Sequence, residues 1–167
     1  MNTFITRILA SVFIASAAVV ASAEEKSVTL TVDGKPVLAL TAPAAAKVTA
    51  SNGYVNVRTT NVSLHVWAVR GAKSVNDALP RVAGLIKSEF INFKTTSSTD
   101  MLIAGTPAKY VTGSGNEADD GDPGNAGVVF FVAGGRVFAG CVHGEFDDAS
   151  RARAPMLALL MTARVPP

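Results

Sequence analysis

The sequence has a single cysteine, Cys141, among its 167 residues. A lone cysteine has no partner within the chain, which excludes a small fold held together by disulfides. Aromatic residues are also scarce, at 7 %, and only one of them is tryptophan. Clusters of basic residues are missing too, because the 15 Lys and Arg residues are scattered singly along the chain. A nucleic-acid-binding surface gathers basic residues on one face, so we expect no nucleic-acid partner.

The common catalytic motifs are missing as well. The chain has only two histidines, and neither accompanies the Gly-x-Ser-x-Gly motif of a serine hydrolase. The stretch Gly113-Ser114-Gly115 lacks the lysine and the helix start of a phosphate-binding loop. We therefore expect a protein that is not an enzyme and has no cofactor. A metal-dependent or other hydrolase is the rival class, and it requires titratable groups that converge in a pocket.

Apolar residues, in contrast, make up 49 % of the chain. That share supports a hydrophobic core and argues against intrinsic disorder. The length is typical of a single domain, and no internal repeat or linker divides it. We expect a monomer.

The N-terminus predicts a signal peptide spanning residues 1–23. Arg7 precedes an apolar segment that is shorter than the roughly 20 residues needed to cross a bilayer. Ala21-Ser22-Ala23 then provides the small residues that signal peptidase requires. Cleavage between Ala23 and Glu24 leaves one domain, 24–167, in the periplasm or outside the cell and not embedded in a membrane.

Alternating apolar residues and turn pairs predict strands both before and after a central helix. Asp33-Gly34 and Asn52-Gly53 are typical of tight β-hairpin turns. Runs of strands with separate helices favour an α+β fold with a largely antiparallel sheet. The predicted strands span 28–32, 37–40, 47–50, 54–59, 62–69, 100–104, 108–112, 128–132 and 137–142.

Two helices are predicted to cover this sheet. Ser74 followed by Asp77 is a capping pattern, and apolar residues at helical spacing continue to Phe90. Pro80 either kinks this central amphipathic helix or marks its true start. Asp147-Asp148 is predicted to cap a C-terminal helix that Pro155 divides, with an apolar side formed by Ala152, Met156, Leu159, Leu160 and Ala163.

From Ser74 to Val165 the sequence resembles the PsbP-like superfamily. The stretch carries Gly105-Thr106-Pro107-Ala108-Lys109-Tyr110 at a strand start, a Gly-Gly turn, and Gly144-Glu145-Phe146 before the last helix. That superfamily shares its fold with a Ran-binding nuclear import factor and with bacterial exported proteins of unassigned role. The resemblance implies an α/β/α sandwich and a binding or accessory role. The superfamily is named for an extrinsic photosystem II subunit, and none of that subunit's partner or metal residues can be placed on this chain.

The segment 113–127 is rich in glycine and acidic residues. We predict a solvated hairpin loop, because connections between strands run over the surface. The alternative is a weak Ca²⁺ site, since Ca²⁺ takes several oxygen ligands and a flexible loop can gather them. The spacing does not match an EF-hand. The candidate ligands are Glu117, Asp119, Asp120 and Asp122.

Cys141, His143 and Glu145 alternate along one predicted strand and share a face. Thiolate, imidazole and carboxylate are all possible metal ligands, but successive side chains stand roughly 7 Å apart along a strand, too far to hold one ion without a bulge. We predict that Cys141 is instead a small buried hydrophobe.

His65 and Trp67 share a face of another strand with Ser63. A tryptophan beside a histidine occurs in ligand pockets, although a tryptophan ring buried under a helix is more common. We take His65, Trp67, His143 and Glu145 as the candidate ligand or partner residues. The expected partner is an envelope or extracellular protein or a small ligand. The alternative is a carrier of an apolar small ligand between helix and sheet, which a groove near Trp67 would support.

Overall fold

The computed structural model describes residues 24–60, 63–144 and 148–167, apart from the side chains of 143–152. The predicted signal peptide, 1–23, therefore lies outside the described residues, as do Glu145 and the predicted cap at Asp147. The strands are β1 (Glu25–Val32), β2 (Lys35–Pro43), β3 (Lys47–Ser51), β4 (Tyr54–Arg58), β5 (Ser63–Ala68), β6 (Phe90–Ile103), β7 (Thr106–Glu117), β8 (Pro123–Ala133) and β9 (Arg136–Gly144). The helices are α1 (Val75–Ala78), α2 (Val82–Leu85) and α3 (Asp148–Met161), with a 3₁₀ turn at Leu79–Arg81 between α1 and α2.

Seven of these strands form one antiparallel sheet in the order β3-β4-β5-β9-β8-β7-β6. Strands β6 to β9 follow one another as a meander, and β9 closes the sheet against β5. The first two strands pair separately as a hairpin. The predicted α+β class with an antiparallel sheet is confirmed.

The first two hairpins turn where the sequence predicts. Asp33 and Gly34 have φ angles of 51° and 75°, and Gly53 has a φ of 77°. Positive φ at these positions matches the right-handed twist of the flanking strands, which explains the Asp-Gly and Asn-Gly pairs.

The centre of the large sheet is buried on both faces, and the alternation along β9 shows it. Phe138 and Val142 pack on the side of α3, where the β1–β2 hairpin also lies. Ala139 and Cys141 pack on the opposite side with α1 and α2. The sheet is thus the middle layer of the predicted α/β/α sandwich.

The central helix is shorter than predicted. Ser74 caps α1 by accepting a hydrogen bond from the Asp77 amide at 3.2 Å, as expected. Pro80 then forces a 3₁₀ turn, because proline has no N–H to continue the α-helical bonding. The helical region ends at Leu85, and Phe90 begins β6 instead of ending the helix. Phe90 is nevertheless 2 % exposed, so its apolar character reflects core packing from a strand.

The predicted loop 113–127 is mostly strand, and only 118–122 connects β7 to β8. Its glycines are required by aromatic rings that lie over the sheet. A Cβ at Gly113 would lie 2.3 Å from the Phe93 ring, and a Cβ at Gly127 would lie 2.5 Å from the Tyr110 hydroxyl. Glycine here permits close packing and does not indicate a flexible loop.

Helix α3 runs through Pro155 without dividing, which corrects the predicted break. Of its predicted apolar side, Met156 and Leu160 are fully buried, and Leu159 is nearly so. Among the residues that the structure describes, no helix is long and apolar enough to cross a membrane.

Candidate functional site

His65 and Trp67 lie on β5, on the side of the sheet that α1 and α2 cover. Both side chains are half-buried, and Trp67 packs against the core on that side. Strand β4 places Tyr54 directly opposite Trp67 and Asn56 directly opposite His65. The two strands therefore bring aromatic and polar side chains together beside the helical layer.

Hydrogen bonds link the polar members of this group. The Tyr54 hydroxyl lies 2.9 Å from His65 Nδ1, and the Ser63 hydroxyl lies 3.4 Å from His65 Nε2. Asn56 Nδ2 donates to the Ser63 hydroxyl at 2.9 Å. Both ring nitrogens of His65 thus face a hydroxyl group, which holds the imidazole in one orientation.

The three rings also contact one another. His65 and Trp67 stack with centroids 5.8 Å apart and ring planes at 21°. Tyr54 tilts against Trp67 at a centroid distance of 5.7 Å. We call Tyr54, Asn56, Ser63, His65 and Trp67 the aromatic surface. Every member is half-buried, so each ring is fixed on one side and accessible on the other.

The electrostatics keep Tyr54 protonated. Partial burial raises the pKa of Tyr54, and the nearby Glu89 carboxylate raises it further. The neutral phenol can therefore donate its hydrogen bond to His65 Nδ1 at neutral pH.

This arrangement is better suited to binding than to nucleophilic catalysis. Ser63 Oγ lies 3.4 Å from His65 Nε2, and Asn56 Nδ2 already donates a hydrogen bond to the same hydroxyl oxygen at 2.9 Å. In addition, a phenol occupies the position beside His65 Nδ1 that a carboxylate holds in a catalytic triad.

Sequence reasoning selected His65 and Trp67 but missed Tyr54 and Asn56. The missing signal was the register of the β4–β5 pair. Tyr54 directly follows the Asn52-Gly53 turn, and alternation along β4 places Asn56 on the same face.

The Cys141, His143 and Glu145 group is only partly described. Cys141 has no exposed surface, which confirms its predicted burial. Burial raises the pKa of Cys141 far above its usual range, with a further contribution from the Glu89 carboxylate. His143 belongs to β9, but its side chain lies outside the described residues, as does Glu145. Their role as partner residues stays a prediction.

The acidic hairpin tip gathers three of the four candidate calcium ligands. One carboxylate oxygen each from Glu117, Asp119 and Asp120 lies within 4.8 Å of the others. The tip is also held by its own bonds, since an Asp120 carboxylate oxygen accepts from the Asp122 amide at 2.9 Å. The absence of a calcium site at this tip stays our prediction.

A carrier of an apolar ligand requires an apolar groove, and the structure has one between β2 and α3. Its volume is about 530 Å³. It lies on the α3 side of the sheet and not near Trp67. Glu25 is the charged residue of the described lining, and methyl, hydroxyl and ring groups form the rest of it: Thr41, Ala42, Pro43, Ala45, Ala46, Thr59, Thr60, Pro155, Ala158, Leu159 and Thr162. We call it the small-residue groove.

No protein-family model and no curated protein matches the sequence at a significant level. Among solved structures, the chain is similar to cyanobacterial PsbP (CyanoP) from Synechocystis sp. PCC 6803. The two share 13 % identity with a TM-score of 0.53, over 92 % of this chain and 99 % of that one. It is also similar to LpqN, which is involved in cell envelope biogenesis of Mycobacterium tuberculosis. Here the identity is 15 % and the TM-score 0.50, over 86 % and 91 % of the two chains. The chain therefore has a PsbP-like fold.

Proposed function

We propose that residues 24–167 form a non-enzymatic binding or accessory protein of the periplasm or cell exterior, and that the aromatic surface contacts its protein partner. The carrying observation is the cluster of half-exposed rings on β4 and β5, fixed by hydrogen bonds through His65. The similarity to LpqN, a protein involved in cell envelope biogenesis, supports a location in the envelope.

The chemistry of the aromatic surface suits a protein partner. Tyrosine and tryptophan are enriched in protein interfaces, where their rings bury apolar area and their polar atoms keep hydrogen bonds. His65 is held by hydroxyls on both sides, so little side-chain entropy is lost when a partner binds.

Site-specific crosslinking tests this proposal. A photoreactive phenylalanine derivative replaces Tyr54, and the variant is expressed in the native host. We expect a discrete adduct with one envelope protein, identified by mass spectrometry. Adding Trp67→Ala should weaken the adduct, because interface aromatics often carry 2 kcal/mol or more, about thirty-fold in affinity.

The matched control carries the same photoreactive residue at Leu102, which is 57 % exposed on the far edge strand β6. The Leu102 variant should not give the adduct. Identical adducts at both positions, or none at position 54, would refute the proposed surface.

The small-residue groove supports a second function, that of a carrier for an apolar small ligand. Its volume of about 530 Å³ lies within the range of ligand pockets. Because Glu25 is the charged lining residue, the ligand should be uncharged at the polar end, as a long-chain alcohol is. An anionic head group would be repelled.

Competition with a fluorescent apolar probe tests whether the small-residue groove binds an apolar ligand. Dodecanol should displace the probe from the wild-type domain. Ala158→Trp, which fills the groove, should abolish probe binding, whereas Ala118→Trp at the exposed hairpin tip should not. Equal probe binding by both variants would exclude the groove as the site.

A further inference from the structure

A second cleft lies on the α3 side of the sheet, over β7 and β8. It is separate from the aromatic surface, which lies on the opposite face, and it does not depend on the function proposed above. Its volume is about 350 Å³. We call it the arginine–tyrosine cleft, and its side-chain lining consists of Thr96, Tyr110, Thr112, Asn125 and Arg153.

Tyr110 provides an unused hydroxyl group. Its side chain is nearly buried, at 6 % exposure. None of the hydrogen bonds of the described residues involves the Tyr110 hydroxyl. The hydroxyl extends over Gly127, where a Cβ would approach to within 2.5 Å. Glycine at position 127 thus makes room for this ring. Since no described side-chain polar atom is both buried and without a partner, the Tyr110 hydroxyl is accessible from the cleft.

Arg153 places a positive charge directly above this phenol. Its guanidinium carbon lies 4.5 Å from the centroid of the Tyr110 ring. Among the described residues it makes no ion pair, since the described ion pair joins Lys109 and Asp100. Among the residues that the structure describes, no carboxylate lines the cleft. The stacked ring orients the guanidinium while leaving its N–H donors available.

Neutral polar groups complete the lining. Asn125 points to the same side of β8 as Gly127, and its amide makes no described hydrogen bond. The Thr96 hydroxyl donates to the Thr112 carbonyl oxygen at 3.2 Å, which ties the β6 side of the cleft to β7. The cleft therefore combines one cation with phenol, amide and hydroxyl donors.

We propose that the arginine–tyrosine cleft binds the oxyanion group, phosphate or carboxylate, of a small ligand. Arginine is suited to such groups because its planar donors match two oxygens at once. Burial raises the pKa of Tyr110 more than Arg153 lowers it, so the phenol stays protonated and donates to the oxyanion. The volume is near the lower limit of ligand pockets, which fits a small molecule or a single head group.

Calorimetry on residues 24–167 tests the site with inorganic phosphate, citrate, glucose 6-phosphate and uncharged glucose. We expect binding of at least one anionic probe and none of glucose. Arg153→Gln should weaken binding ten-fold or more, because a charge-assisted hydrogen bond is lost. Tyr110→Phe, which keeps the ring, should weaken it about five-fold.

Arg136→Gln is the matched control, since Arg136 is exposed at the start of β9 and the substitution removes the same charge. It should leave the affinity for the anionic probes unchanged.

Flotation with phosphatidylglycerol and phosphatidylcholine vesicles distinguishes the two sources of the oxyanion. If the protein binds phosphatidylglycerol vesicles but no soluble probe, and Arg153→Gln abolishes that binding, the ligand is a lipid head group. If it binds soluble probes but no vesicles, the ligand is a free molecule. No binding in any arm, or equal losses in Arg153→Gln and Arg136→Gln, would overturn the proposal.

Discussion

At Cys141 the thiol lies in the middle of β9, opposite His65 on β5 and surrounded by core residues. The surroundings disfavour the charged thiolate, and burial therefore raises the pKa of this thiol. Since the thiolate is the reactive species, the burial of Cys141 in the core determines how fast its thiol reacts.

We therefore expect Cys141 to react slowly with a thiol reagent in the native protein. Labelling by an aromatic disulfide reagent, followed by absorbance, should be far slower than for free cysteine and should become rapid in guanidinium chloride. Fast labelling of the folded protein would contradict this, as would an obligatory disulfide-linked dimer on a non-reducing gel.

Substitution of two glycines by alanine should change the stability of the protein in opposite directions. A Cβ at Gly140 would lie 2.8 Å from a methyl of the fully buried Leu160, whereas a Cβ at Gly84 in α2 would meet nothing within 4 Å. Gly140→Ala should lower the free energy of unfolding by about 1–3 kcal/mol through overpacking. Gly84→Ala should raise it by about 0.5–1 kcal/mol. Urea unfolding measures both, and a Gly140→Ala variant as stable as wild type would show that Leu160 moves freely.

Among the elements, the β7–β8 hairpin decides how the acidic segment behaves. Its strands continue to Glu117 and resume at Pro123, so replacing the whole segment 116–125 would remove strand pairs. Only 118–122 can be shortened at the low cost expected of a surface loop. The Asn116 side chain also donates to the Gly121 carbonyl at 2.8 Å, which stabilises the tip from within.

We expect millimolar Ca²⁺ to change the melting temperature little, and Asp119→Asn with Asp120→Asn to behave as the wild type does. A real site at 100 times its dissociation constant would add about 2.7 kcal/mol, which is several degrees. Scanning calorimetry with and without Ca²⁺ measures the shift. Glu24→Gln with Glu25→Gln supplies a variant of equal charge change. A shift of several degrees that disappears only in the Asp119 and Asp120 double variant would establish a calcium site.

For the whole molecule, the first described residue, Glu24, already takes part in the fold. The Glu24 carbonyl accepts a hydrogen bond from the Ala44 amide at 2.8 Å, and β1 starts at Glu25.

The intact mass of the protein from the cell envelope should correspond to a chain that begins at Glu24. Mass spectrometry of the purified envelope form measures it directly, and the uncleaved protein from a cytoplasmic expression gives the reference mass. A form that retains residues 1–23 would show that the predicted processing and location are wrong.

The sequence by itself determined the features that depend on neighbouring residues. The Asp33-Gly34 and Asn52-Gly53 turns need only the right φ at adjacent positions, and Ser74 caps a helix three residues away. Strands with alternating apolar residues were found for the same reason. From these, the α+β class and the buried side of α3 followed.

Only the tertiary structure decided the features that join distant segments. Glycine is needed at position 113 of β7 because the Phe93 ring occupies the space that a Cβ would take, and no local pattern shows that ring. Tyr54 meets His65 through strand register, and Tyr110 meets Arg153 across more than forty positions, from β7 to α3. A site assembled from separate elements depends on the packing of the layers, which sequence spacing does not contain.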